Sequence, residues 1–148
     1  MVTDISVRTG GSVAEDRSWA IGEHGFNMPV NAPLDYSTFT GANFTDGVVK
    51  SGCVLGRVTS TGAYGPYLAT ASDGRETAVG VLFNTFRIPA DTATVASDAA
   101  LVHFHCRQAR LPYTSGAGAI DAAGRADLPL VLCCLLYTSD AADDMQCV

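Results

Sequence analysis

The sequence predicts a mostly-β domain with short strands and little helix, preceded by a long, loosely structured N-terminal arm. Three observations carry this. Two Val-rich apolar runs, Cys53–Val58 and Ala78–Phe83, flank a segment dense in turn residues. Branched side chains suit a pleated surface. Across 148 residues only Ile120–Ala126 reads as a helical turn, and Gly124 weakens it. The first thirty residues carry Gly10-Gly11, Gly22, Gly25 and Pro29 and keep no helical or strand period.

The elements follow in order. Met1 to about Asn31 is the arm, with Trp19, Ile21, Phe26 and Met28 close together. A purely solvated tail rarely holds such a set, so these four are candidate anchors on a partner or a neighbouring subunit. The competing reading packs Trp19 on its own core. Val48-Val49, between Gly47 and Gly52, is a short strand. The meander from Ser51 to Leu82 follows as two or three strands, interrupted by Gly62, Gly65-Pro66 and Asp73-Gly74. Gly56, Gly62, Gly74 and Gly80 serve turns or close backbone approach, while Ala78, Val79, Val81 and Leu82 are core or subunit interface. The apolar run continues from Phe83 to Pro89, where proline ends it or places it at an edge. Thr92, Thr94 and Val95 suggest another strand, and Ala99–His105 a further one. Along the latter, Val102, Phe104 and Cys106 face one side, and Leu101, His103 and His105 the other. Gly116–Gly118 is a loop, and Leu128–Leu132 a last strand demoted by Pro129. This divides the chain into an arm and lead-in (1–47), a β-rich domain (48–132) and a tail (133–148).

Composition removes several function classes. Apolar residues are 47% and charged residues 16%, enough apolar surface for a folded core. No apolar run approaches the ~20 residues that span a bilayer. The N-terminus lacks the apolar centre of a signal peptide, so synthesis in the cytoplasm is the expectation. The net charge is −6 and Lys50 is the single lysine, which argues against direct nucleic-acid binding and leaves no membrane partner in view. Five cysteines without paired spacing form a poor disulfide framework, so reduced thiols are expected.

No constellation of residues supports catalysis. His103 and His105 at alternate positions invite a metal reading, but a third ligand at recognisable spacing is missing and Cys106 points to the other face. A structural histidine pair is the simpler reading. Cys106 lacks a base within reach, because neighbouring strand side chains diverge. His24 sits in the arm with no constellation to join. Gly62-Ala-Tyr-Gly65 has no following helix and no Lys-Ser/Thr, so it is a turn and not a phosphate loop. The carboxylates Glu15-Asp16 and Asp73/Glu76 show no shared pocket. The sequence therefore assigns no catalytic, cofactor-binding or metal residue.

The run VLGRVTSTGAY (Val54 to Tyr64), the block DGRETAVGVL (Asp73 to Leu82), and the spacing through Asp91-Thr92 and Ala99–Phe104 to DAAGRADLP together resemble the head decoration protein family of tailed bacteriophages, the lambda protein D type. The resemblance runs from roughly Val48 to Leu130, with a similar N-terminal arm. It implies a compact fold of the β-clip kind and homotrimers at the threefold and quasi-threefold positions of the capsid's outer surface. The partner implied is the major capsid protein of the expanded head, which such trimers hold together against packaged-DNA pressure. The family's arm is mobile in the free trimer and orders on the shell, pairing as a strand with the coat. Neither catalysis nor a cofactor is implied. Two readings from other classes stand beside it. One is a small β-barrel or β-clip enzyme acting on a nucleotide or peptide, which needs a cleft with converging polar groups. The other is a surface-display adhesion module.

The end of the chain departs from the family. CCLLYTSDAADDMQCV, from Cys133, resembles translated sequencing-adapter fragments found at the ends of proteins from metagenomic assemblies. It adds Asp140, Asp143 and Asp144 without a basic companion, and three of the five cysteines. The alternative is a genuine acidic tail.

Overall fold

A computed structural model describes residues 13–93 and 96–134. Strands β1 (Val30–Leu34), β2 (Val48–Val49), β3 (Val54–Arg57), β4 (Tyr64–Pro66), β5 (Ala78–Leu82), β6 (Phe86–Arg87), β7 (Ala96–Leu101), β8 (Phe104–Arg107) and β9 (Val131–Cys134) alternate with turns. Among the described residues helix is confined to α1 (Ala122–Ala126) and three 3-10 turns at Tyr36–Thr38, Ala42–Phe44 and Gln108–Arg110. The mostly-β expectation holds.

Five strands close into a barrel in the order β1-β4-β3-β5-β7, with β7 returning to β1. The β3–β4, β3–β5, β5–β7 and β1–β7 pairs are antiparallel, and β1 meets β4 in parallel through Leu34 and Tyr64. Two ribbons stand apart, antiparallel β2–β6 and parallel β8–β9.

The apolar runs of the meander are continuous because their strands are covered on both faces. Successive side chains of a strand point to opposite sides. Val54, Val81 and Leu101 join one core cluster, with Trp19, Tyr67 and Phe104. Their neighbours Leu55, Leu82 and Ala100 join a second, with Leu34, Phe39, Phe44 and Tyr113. A sheet buried on both faces shows unbroken apolar runs where a half-exposed one would alternate.

Several boundaries differ from those expected. Residues 31–47, expected as arm and lead-in, contribute a barrel strand and part of the core. β1 pairs with β7 over five positions, and Leu34, Phe39 and Phe44 are buried, because the second cluster needs a cover that the later strands do not supply. Gly65-Pro66 does not interrupt the meander but lies in β4, opposite Gly56 and Leu55. The expected strand Ala99–His105 is two: the chain bends at Val102-His103 and leaves the barrel for the β8 ribbon. Thr92-Ala93 is a turn, and positions 94 and 95 lie outside the described residues. The division expected after Leu132 falls inside β9, where Cys133 is buried beside Cys106. The adapter-like string that follows, from Leu135, lies outside the described residues, as do residues 1–12 of the arm.

The short helix is fixed by its first residue. The Asp121 carboxylate accepts from the Gly124 N–H at 2.8 Å and from the Tyr67 hydroxyl at 2.8 Å. The Gly124 amide and the Tyr67 hydroxyl hold the Asp121 carboxyl below the usual carboxylate range. Burial and the Asp121 charge push the Tyr67 hydroxyl up to about 12, so it stays a donor. A carboxylate whose folded value is depressed contributes stability that is complete above its unfolded pKa, about 3.9, and is lost as pH falls through the folded value. Asp121→Ala is therefore expected to cost about 1–2 kcal/mol at pH 7 by urea unfolding. The deficit should shrink as pH is lowered below 4; a deficit constant down to pH 2 contradicts this account.

Candidate functional site

Residues 13–29 form a strap across the domain ahead of β1. Its main chain pairs with β8: the Arg107 N–H donates to Trp19 O at 2.6 Å, the Ile21 N–H donates to His105 O at 3.0 Å, and Ala20 bridges Cys106. Side chains add to this. The Arg17 guanidinium lies 4.1 Å from the centre of the Phe83 ring and donates to Phe83 O and to Asn84 Oδ1. Glu15 accepts from the Thr85 N–H at 3.0 Å and the Thr85 hydroxyl at 3.1 Å.

The four expected anchors separate. Trp19 is 1% exposed and packs edge-on against Phe104, ring centres 5.6 Å apart. Its Nε1 donates to the Ser51 hydroxyl at 3.2 Å, which in turn donates to Phe83 O at 2.7 Å. It is a core residue of this chain and presents no free surface. Phe26 is half-buried between Trp19 and Phe83, with ring centres 6.4 and 5.0 Å away. Ile21 is half-buried beside β8. Met28, at 71% exposed, is the anchor left open to solvent. Trp19 and Phe26 are covered because the aromatic rows of β8 and of the β5–β6 connection supply their partners within one chain.

The positions read as turn or core sit as follows. Ala78 and Leu82 are buried in β5, and Val79 is half-buried. Gly56 lies at the irregularity of β3, where a side chain would meet the Arg75 backbone, and Gly80 faces the Leu101 carbonyl. Gly62 and Gly74 have φ of +73° and +107° in the turns that follow β3 and precede β5.

The candidate thiol and the candidate imidazoles lie apart. Cys106 is buried, its sulfur 2.7 Å from that of Cys133, and the neighbouring Cys133 sulfur and burial push its thiol up, away from the thiolate. A nucleophilic cysteine needs the opposite shift and a base within reach. His105 stands on the other face of β8. One cluster was not legible in the sequence. His24 of the strap meets His103, Nε2 to Nε2 at 3.1 Å, and stacks on His105 with ring centres 4.8 Å apart. The two segments are far apart in sequence and share no spacing that could have announced the contact. Among the described residues no group of three or more His, Cys, Asp or Glu side chains is placed to hold a metal ion together, and no helix is long and apolar enough to cross a membrane.

The sequence of the barrel has a counterpart among known protein families. The family described as bacteriophage lambda head decoration protein D matches residues 31–132, from β1 into β9. The chain belongs to that family. Comparison with curated proteins and with solved structures finds no match. The head decoration family places the chain on the phage capsid as a structural component. Its match takes in all of the barrel strands but Val30, including residues 31–47, and most of the β8–β9 ribbon.

Proposed function

We propose that the chain is a cement protein. It binds the expanded head of a tailed phage as a homotrimer, contacts the major capsid protein on the outer surface, and braces the shell against the pressure of packaged DNA. The family match over residues 31–132 is the observation that carries this reading. Cys106 is buried against Cys133 on the face of β8 away from His105, so the thiol has no imidazole base, which supports a binding role over catalysis. A trimer would present three weak contacts together, multiplying their effect without new contacts.

The coat-contacting residues proposed from the sequence were Trp19, Ile21, Phe26 and Met28. With Trp19 in the core, the reading centres on Met28, with Ile21 and Phe26 positioning the strap that carries it. Exposed apolar residues near a docking segment are the usual source of concentrated binding energy. The test is co-sedimentation with expanded, decoration-free heads of the phage that encodes this chain, with the mass of the free protein measured in parallel. The full chain should pellet with heads and saturate at three copies per threefold position, and Met28→Glu should weaken retention about tenfold, the equivalent of about 1.4 kcal/mol. Failure of the wild-type chain to pellet would sink the cement reading. Undiminished binding of Met28→Glu would remove only the assignment of the contact to Met28.

A further inference from the structure

We propose that His24 and His103 form a surface site for a divalent transition metal, such as Zn²⁺, which would staple the strap to the turn between β7 and β8. The two Nε2 atoms are 3.1 Å apart. Two nitrogens bound to one such ion at ~2.0–2.1 Å stand about 2.9 Å apart at a right angle and about 3.3 Å apart at the tetrahedral angle. The observed separation already lies in that interval. Ring orientation agrees. A head-on N–H···N bond of this length would put the ring centres about 5.4 Å apart. They are 4.5 Å apart, with planes at 83°, so the imidazoles approach from the same side as a converging pair does.

The backbone brings the two segments together. Gly25, next to His24, is buried with φ +83°, and a side chain there would run into the His103 carbonyl. The strap is thus pressed onto the residue that carries the second imidazole. Hydrogen bonds from the Phe26 N–H to Glu23 O and from the Met28 N–H to Gly25 O, each 3.1 Å, fix the turn on which His24 sits. His105 stacks on His24 with planes at 30° and acts as a positioning residue for that ring.

Each ring binds as the neutral imidazole with its proton on Nδ1, so that both Nε2 lone pairs meet the ion. The side chains of His24 and His103 are both exposed, so water completes the coordination. Two imidazoles suit Zn²⁺, Ni²⁺ or Cu²⁺ and not Mg²⁺ or Ca²⁺, which take oxygen ligands. This inference stands on the strap's contact with the β7–β8 turn and is independent of the capsid reading.

The experiment is calorimetric titration of the reduced, chelator-stripped full chain with zinc chloride, with magnesium chloride as control. The wild type should bind one Zn²⁺ per chain, with no heat from Mg²⁺. His24→Ala and His103→Ala should each weaken the affinity at least tenfold. The thermal midpoint should rise with Zn²⁺ in the wild type and stay unchanged in either variant, since a ligand of the folded state alone raises stability by mass action. Both substitutions fall at exposed positions, and a metal-free midpoint within a degree or two of wild type would establish that the variants fold. Absence of binding overturns the proposal. Zinc binding that survives both substitutions, as it would on cysteine sulfur, overturns it equally.

Discussion

Replacing Trp19 with alanine is expected to destabilise the protein by about 3–5 kcal/mol in urea unfolding. The indole is 1% exposed and touches Phe104 and Phe26, so its removal opens a cavity at the junction of strap, β8 and barrel. The lost hydrogen bond to Ser51 is the smaller part, because the Ser51 hydroxyl keeps its own acceptor at Phe83 O. A net hydrogen bond contributes about 1 kcal/mol, whereas the transfer and cavity costs of a large aromatic dominate. Trp19→Phe should recover a good part of the loss. A Trp19→Ala penalty below 1 kcal/mol would mean that the strap opens separately and lies outside the cooperative core.

Gly74→Ala is expected to cost about 2–4 kcal/mol, combining left-handed backbone strain with overpacking. Gly74 has φ +107°, and a Cβ there would press on the Arg57 carbonyl and on the Thr59 amide and hydroxyl. Those atoms cannot easily retreat, because the Thr59 N–H is itself bonded to Asp73 O at 2.8 Å. Gly62→Ala is the matched control. Its φ is +73°, but the new methyl would meet only the flexible end of Arg57, 3.2 Å away. Its cost should stay near the strain alone, about 1–2 kcal/mol. Equal penalties at the two sites would show that crowding against the 57–59 backbone contributes nothing.

How far the fold was legible follows from which forces are local. β2 is a pair of valines between Gly47 and Gly52, and β3 and β5 lie in Val-containing apolar runs; runs of that kind declare themselves. The helical turn at 122–126 declares itself through Asp121, a good N-cap. β4 does not, because Gly65 and Pro66 are turn residues by type; they are held in a strand by pairing with β3, and Thr38 and Arg75 crowd the side that a side chain at Gly65 would fill. The break at Val102-His103 is equally hidden, since side-chain alternation says nothing about which sheet a strand joins. The strap carries no period of its own, and in β1 the alternation of Val30, Ala32 and Leu34 is short and masked by Pro33; the order of both comes from pairing with β8 and β7, tens of residues away. Trp19 therefore read as an anchor for another molecule when its partner was Phe104. The His24–His103 contact, across 79 positions, belongs to the same class of long-range fact.

Joining β1, β4, β3, β5 and β7 into a ring gives each of these five strands a neighbour on both sides. Main-chain pairing with a second copy is thereby turned away from the barrel and towards the two ribbons, β2–β6 and β8–β9, which the ring does not close.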